Sequence, residues 1–214
     1  LDTTEVVYMR SMTNGDYVAG KTLGILSVFF LLNLAVLLLG LVMQTLLTEV
    51  PVSWTSYLLY PVIISLPTLV FILGLAFILM VLLRNQAVTF IVLLGYIATT
   101  LFYLAMRYNH LFDYMAYNIP LLSSSVTGLY DAGEILLHRG IYFVLGLSFI
   151  SFTIVLIKRL PQSRAATGLA KFSSFALLAL GIAMMFMYTQ RISSGESLRA
   201  EMNRLADSYA GRPR

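Results

Sequence analysis

Long apolar stretches alternate along the chain with shorter polar segments, and five of these stretches could cross a membrane. A bilayer's hydrocarbon core of about 30 Å requires roughly 20 helical residues, because an α-helix rises about 1.5 Å per residue. The stretches are continuous, whereas barrel strands alternate apolar and polar residues. The pattern predicts an all-α integral membrane protein, a bundle of about five transmembrane helices. The predicted spans are 22–48, 58–83, 87–106, 141–157 and 172–190, and the short fourth span is expected to borrow flanking residues.

Composition agrees with this assignment and excludes several functions. Of the 214 residues, 59% are hydrophobic and 11% are charged, whereas soluble domains carry about 25% charged residues. The net charge of +4 does not indicate a nucleic-acid partner, because basic residues between apolar spans usually set membrane topology. The absence of cysteine excludes disulfides, thiolate metal sites and a cysteine nucleophile.

The basic residues predict an orientation through the positive-inside rule. With segment 1–21 in the cytoplasm, the loop 107–140 is external and the C-terminal tail 191–214 is periplasmic. The inner segments then hold seven basic residues: Arg10, Lys21, Arg84, Lys158, Arg159, Arg164 and Lys171. The tail holds five arginines, against the rule. Tails that lead into translocated domains obey the rule poorly, so we expect the protein to continue past Arg214.

One motif matches a nucleotide-binding loop by letter only. Gly15 to Thr22 satisfies the phosphate-loop pattern G-x-x-x-x-G-K-[ST], but that mechanism needs a buried strand before the loop and a soluble nucleotide-binding domain around it. Here the segment leads into a membrane span. We interpret Asn14-Gly15 as a polar turn and Lys21 as an anchor at the headgroups.

The segment before this motif predicts a lever at the bilayer surface. Asp2-Thr3-Thr4-Glu5 resembles a capping box, which would open a short helix through Met12. A turn at Thr13-Asn14-Gly15 and a second short helix would then lead into the membrane. The alternative is an ordinary amphipathic linker.

The loop 107–140 contains the ionisable side chains that could support chemistry. Its aromatic-rich beginning predicts short interfacial helices. Asp131, Glu134 and His138 share a helix face and could bind zinc or relay a proton, but beside solvent they are expected to form a solvated face. His110 and His138 could ligate haem, yet a haem between spans would use histidines inside them. The sequence therefore predicts no cofactor, no metal site and no catalytic residue.

Polar residues inside the predicted spans are few. Asn33 and Gln44 lie eleven residues apart, about three helical turns, so both face one side, where they either bond neighbouring helices or line a pathway. Pro61 and Pro67 should free backbone carbonyls and bend the second span. No Asp, Glu, Lys, Arg or His lies in any predicted span, which argues against an ion-driven carrier. Energy for transport would then come from a partner.

The run from Asp2 to Lys21, ending in Tyr17-Val-Ala-Gly-Lys21, resembles the cytoplasmic segment of type-2 ATP-binding-cassette export permeases. In that family the segment contains the coupling helix that sits on the ATPase subunit. The resemblance implies a cassette ATPase as partner. Its candidate contacts here are Glu5, Arg10, Met12, Thr13, Asp16, Tyr17 and Lys21.

A second resemblance involves three further stretches: Leu111 to Pro120, His138 to Tyr142 and Lys158 to Ser163. They look like large bacterial inner-membrane permeases that carry a C-terminal zinc aminopeptidase-like domain. The resemblance implies further helices before Leu1, an exported domain after Arg214 and a second permease half or homodimer. No H-E-x-x-H motif occurs in the chain, so no peptidase activity transfers to its residues.

The leading hypothesis is the membrane-spanning permease part of an ATP-driven exporter, acting on an unspecified substrate and without a catalytic site of its own. Charge reversal at Glu5 and Arg10 together should uncouple ATP hydrolysis from transport. One alternative is a non-transporting anchor or assembly module for an attached exported domain. A further alternative is a redox enzyme that uses His110 and His138.

Overall fold

The structure, a computed structural model, describes residues 13–47, 49, 52, 54–104, 107, 110–118, 123–124, 128–129, 132–157 and 164–210. This part of the chain is helical apart from turns, short connections and one pair of two-residue strands. Five of its helices are long and apolar enough to cross a membrane. The predicted fold class, an all-α membrane protein with about five spans, is confirmed.

The helices follow one another along the chain with short connections. Two π-helical segments, Pro61–Ser65 and Thr100–Leu104, continue helical runs without a break. The two short strands, β1 (Ser123–Ser124) and β2 (Gly128–Leu129), pair antiparallel. The α-helices are α1 (Asn14–Leu47), α2 (Trp54–Tyr60), α3 (Leu66–Leu83), α4 (Gln86–Thr99), α5 (Ala132–Leu156) and α6 (Arg164–Ala210).

Helix α1 begins where a reciprocal cap forms. The Thr13 amide donates to Asp16 Oδ2 at 3.0 Å, and the Asp16 amide donates to Thr13 Oγ1 at 3.2 Å, which is the geometry of a capping box. The helix then runs unbroken to Leu47. The predicted turn at Asn14-Gly15 and the separate short helix after it are therefore wrong. The phosphate-loop pattern from Gly15 to Thr22 lies within regular helix, and the predicted helix before Met12 lies outside the described residues.

Three helices form the centre of the bundle. Helix α3 runs parallel to α5, and the two backbones approach so closely that a Cβ added to Gly146 would lie 2.6 Å from Val70 O. Helix α6 runs antiparallel to α5, and Ser148 Oγ donates to Ser174 O at 2.9 Å. Small residues allow such close approach between membrane helices.

Helix α1 is tied to this centre mainly through its first turns. Val18 is buried and packs in one cluster with Val70 of α3 and Ile150 of α5. Asn14 Nδ2 donates to Ile157 O at 2.7 Å, at the C-terminal end of α5. Beyond these turns α1 exposes its large apolar side chains, as a lipid-facing helix does. We name this end of the bundle, where α1 begins and α5 ends, the N-terminal end, and the other end the opposite end.

The main hydrophobic cluster lies toward the opposite end. It combines residues of α3, α5 and α6 with a non-helical segment, residues 110–118, which we name the docked segment. The buried members of the cluster are Phe71, Leu111, Tyr114, Ile141, Tyr142, Leu145 and Tyr188.

Candidate functional site: a buried arginine and the docked segment

Helix α5 carries a charged residue into the bundle. It begins at Ala132, well before the predicted start of the fourth span at residue 141, and the whole helix to Leu156 is apolar and long enough to span. The expectation that this span borrows flanking residues is confirmed. The prediction that no ionisable residue lies in a span is wrong, because Arg139 lies within the helix and is only 2% exposed.

The Arg139 guanidinium is held by backbone carbonyls from two directions. Its Nε donates to Ile63 O at 3.2 Å and its Nη2 to Ile64 O at 3.0 Å. Its Nη1 donates to Tyr114 O at 2.8 Å, in the docked segment. Nη2 also donates to Thr68 Oγ1 at 2.5 Å. A buried charge is costly unless hydrogen bonds satisfy it, and these four acceptors perform that function.

Pro67 explains why Ile63 O is free to accept. In a regular helix Ile63 O would accept from the amide of residue 67, but Pro67 has no N–H. The preceding segment Pro61–Ser65 is π-helical, and the Leu66 amide bonds to Pro61 O, which shifts the pattern of backbone bonds. π-Helical turns often mark functional sites. The second span thus presents to Arg139 the carbonyl of Ile63, which lacks its usual helical donor, and the carbonyl of Ile64, which also accepts from Thr68 Oγ1 at 2.8 Å.

The docked segment is irregular backbone inside the bundle, not the interfacial helix that the sequence predicted. Leu111, Asp113, Tyr114 and Ala116 are all buried. Its turns are closed by bonds from the Asp113 amide to His110 O and from the Ala116 amide to Asp113 O. Backbone of this kind is tolerated at membrane depth only when protein surrounds it and satisfies its polar groups.

Side chains of α5 satisfy three carbonyls of the docked segment. His138 Nε2 lies 3.0 Å from His110 O, and Tyr142 OH donates to Leu111 O at 2.5 Å. Arg139 takes the third carbonyl, that of Tyr114. His138, Arg139 and Tyr142 lie on adjacent positions of one helix face. This α5 face is therefore shaped to hold the docked segment.

His138 is not part of a solvated face, contrary to the expectation from the sequence. It is completely buried, and its ring centroid lies 5.2 Å from those of Tyr142 and Tyr188. Asp131 lies outside the described residues, and Glu134 is half-buried. Among the residues that the structure describes, no group of three His, Cys, Asp or Glu side chains could hold a metal ion.

Among the described residues, Tyr114 OH and His138 Nδ1 are buried and find no hydrogen-bond partner. Since a carbonyl can only accept, His138 must donate from Nε2 to His110 O, and Nδ1 then carries the lone pair. Burial, with the neighbouring Tyr96 and Asp113, raises the pKa of Tyr114 to about 12. The Tyr114 hydroxyl therefore stays protonated and neutral at physiological pH.

The predicted intramembrane polar residues both bond the second span. Asn33 Oδ1 accepts from Ser65 Oγ at 3.1 Å. Gln44 Oε1 accepts from Tyr57 OH at 2.7 Å. These two bonds connect α1 to the helix formed by α2, the π-helical segment and α3.

The structure describes four of the seven candidate ATPase contacts, and these differ in their contacts and exposure. Glu5, Arg10 and Met12 lie outside the described residues. Thr13 and Asp16 build the cap of α1. Tyr17 is half-buried, whereas Lys21 is exposed and its Nζ lies 5.0 Å from the Tyr17 ring centroid.

Sequence reasoning missed the arginine site and the Asn14 bond. The apolar run begins only at residue 141, so the sequence pattern places Arg139 and His138 in the loop 107–140. A signal was present: Arg139 lies less than one helical turn before the predicted start of the span at residue 141. Asn14 gave no comparable signal, because its partner is a backbone carbonyl 143 positions away along the chain.

Comparison of the chain with protein-family models, with curated proteins and with solved structures found no match. The likeness to type-2 export permeases therefore stays a prediction from the quoted residues. What is established is a multi-helix membrane fold with a buried arginine site at one end.

Proposed function

We propose that this chain is the membrane-spanning permease part of an ATP-driven exporter in a bacterial inner membrane. Its N-terminal end faces the cytoplasm, and a cassette ATPase docks on the segment around residues 1–21. The helices rearrange when the ATPase closes, and the energy comes from that partner. The substrate class is left open.

One structural observation supports this proposal most directly. The first turns of α1 are bonded to the end of α5 through Asn14 and packed against its last turns through Val18. A force on the segment before Asn14 would therefore reach α5, the helix that contacts α3, α6 and the docked segment. Coupling requires such a connection between the docking surface and the moving core.

The beginning of α1 remains accessible to a partner. Asp16 and Lys21 are exposed, and their contacts within the described chain are local ones, to Thr13 and Tyr17. The exposed apolar length of α1 also leaves room for lipid, a second permease half or a second copy of the chain. A non-transporting anchor is the competing function, and it predicts no coupling through this end.

The test compares charge reversals in the segment before α1 with a charge reversal near the beginning of α1. The chain is purified from native membranes with its ATPase, and ATP hydrolysis by the complex is measured. Glu5→Lys with Arg10→Glu, and separately Lys21→Glu, should reduce co-purified ATPase activity by about tenfold, since each removes charged contacts. Lys171→Glu is the matched control, because Lys171 is exposed near the start of α6.

Equal activity in all three variants would rule out docking on this segment. A wild-type chain that purifies from native membranes without any ATP-hydrolysing partner would favour the anchor. Membrane insertion, measured by carbonate extraction, should be unchanged throughout.

A further inference from the structure

We propose that the docked segment, residues 110–118, is a displaceable plug at the opposite end of the bundle, latched by Arg139 and Tyr142. Its role as a gate rests on the proposed exporter function, but the plug and its latch can be tested without that function. When the plug leaves, the face of α5 that carries His138, Arg139 and Tyr142 becomes accessible to water and to a passing substrate.

The first argument is how the segment is held. Its carbonyls at His110, Leu111 and Tyr114 are satisfied by side chains of α5 rather than by a helix or sheet ladder. A segment held in this way has no continuous backbone pairing to melt. It can leave the bundle as a unit when those few side-chain bonds break and when Leu111 and Tyr114 leave the main hydrophobic cluster.

The second argument is the backbone at both ends of the plug. His110 has φ of 60° and Ala116 has φ of 58°. Residues other than glycine rarely adopt positive φ, and alanine has no polar side chain that could form a local hydrogen bond there. Such residues persist only where the surroundings hold them, and they occur often in switch regions. The two strained positions bracket the plug as hinges.

The third argument is that the latch joins two helices. Tyr114 O accepts from Arg139 Nη1 of α5 and lies 3.2 Å from Thr68 Oγ1 of α3. Arg139 simultaneously holds Ile63 O and Ile64 O at the π-helical segment. A relative displacement of α3 and α5 would therefore break the latch. Such a displacement is what motion at the N-terminal end would transmit through α5.

The fourth argument concerns polar atoms that the closed plug leaves unsatisfied. Tyr114 OH and His138 Nδ1 are buried without partners in the part of the chain that the structure describes, and a buried unsatisfied polar atom destabilises the state that contains it. Both atoms would gain water partners once the plug leaves. The closed state is thus opposed by desolvation as well as by the strained hinges.

The experiment uses the absence of native cysteine, which makes single cysteines specific reporters. Leu111→Cys, in the buried part of the plug, is labelled with a membrane-impermeant maleimide in lipid nanodiscs, where both faces are reachable. Tyr117→Cys, at a position 77% exposed, is the positive control. Ile141→Cys, at a fully buried position of α5, reports whether the bundle itself loosens.

The latch variants should raise the labelling rate of Leu111→Cys, and the hinge variant should lower it. Tyr142→Phe removes only the hydroxyl that bonds Leu111 O, and Arg139→Met removes the bond to Tyr114 O; each should raise the labelling rate about tenfold or more, as expected for losing a hydrogen bond to a buried carbonyl. Ala116→Gly relieves a hinge and should lower the rate about threefold. If Arg139→Met fails to fold, the other two variants still decide the question.

Labelling of Leu111→Cys that is unaffected by Tyr142→Phe and Ala116→Gly overturns the plug. Labelling that rises together at Leu111→Cys and Ile141→Cys also overturns it, because the whole bundle has then loosened. The labelling is repeated on the complex with its ATPase trapped by nucleotide. If labelling of Leu111→Cys rises with Tyr142→Phe but does not change on nucleotide trapping, the plug is upheld and the exporter proposal is contradicted. A response to both supports the plug as the gate.

Discussion

At the scale of single residues, the Arg139 guanidinium connects α5 to the second span and to the docked segment at the opposite end of the bundle. Arg139 is tolerated inside α5 because Pro67 leaves a carbonyl without its usual donor and because the docked segment supplies another. Thr68 completes the arrangement: its hydroxyl accepts from Arg139 and lies within bonding distance of Ile64 O and Tyr114 O. Removing that hydroxyl would leave part of a buried charge unsatisfied.

Thr68→Val should therefore destabilise the protein by about 1–3 kcal/mol, the usual range for an unsatisfied buried hydrogen-bonding group. Valine keeps the shape of threonine, so lost packing contributes little. The measurement is the free energy of unfolding in detergent, from a denaturant titration. Thr68→Ser should retain most of the stability. Thr45→Val, at an exposed threonine of α1, should change it by less than about 0.5 kcal/mol; an equal loss at both threonines would contradict the role of Thr68.

At the scale of elements, the crossing of α3 and α5 depends on glycine. Gly74 faces the backbone of Gly146, and Gly146 faces the backbone of Val70 and Phe71, so neither glycine can carry a side chain at the crossing. The crossing sets the distance between the π-helical segment and Arg139. A small separation of α3 from α5 would lengthen the hydrogen bonds of Arg139 to Ile63 O and Ile64 O.

Gly146→Ala should lower the unfolding midpoint, with a loss of about 1–3 kcal/mol from overpacking. The added Cβ meets backbone atoms of Val70 and Phe71, which cannot rotate away as a flexible side chain would. Thermal unfolding in detergent gives the midpoint. The matched control is Gly95→Ala in α4, where nothing lies within 4 Å of the new Cβ. There the higher helix propensity of alanine should hold or raise the midpoint, and a drop of similar size at both glycines would rule out the close crossing as the cause.

At the scale of the whole molecule, the sequence predicts the helices that face lipid but not the elements whose residues are determined by contacts within the protein. Lipid-facing helices such as α1 must be apolar along their length, so their existence follows from hydropathy alone. Near the start of α5, His138 and Arg139 are buried against the docked segment, so this part of the helix carries ionisable side chains and looks like loop. The docked segment itself has no periodic pattern, because side chains of a distant helix satisfy its backbone.

The orientation of the whole molecule yields a further prediction. Exposed basic residues near the N-terminal end, among them Lys21, Arg84 and Lys171, favour a cytoplasmic location for that end, whereas the arginines of the tail 191–214 lie against the rule, as those of tails that lead into translocated domains do. In intact cells, an impermeant maleimide should label Tyr117→Cys at the opposite end. It should label Gln86→Cys, an exposed position at the start of α4 near the N-terminal end, only after permeabilisation.

Both positions are exposed, so a difference in labelling reports sidedness rather than burial, and labelling in detergent should make them equal. The reverse pattern would place the plug in the cytoplasm and the segment before Asn14 outside the cell. A cytoplasmic ATPase could not then reach that segment, so the coupling proposal would fail. The latch between Arg139 and the docked segment would stand, because it depends only on contacts within the bundle.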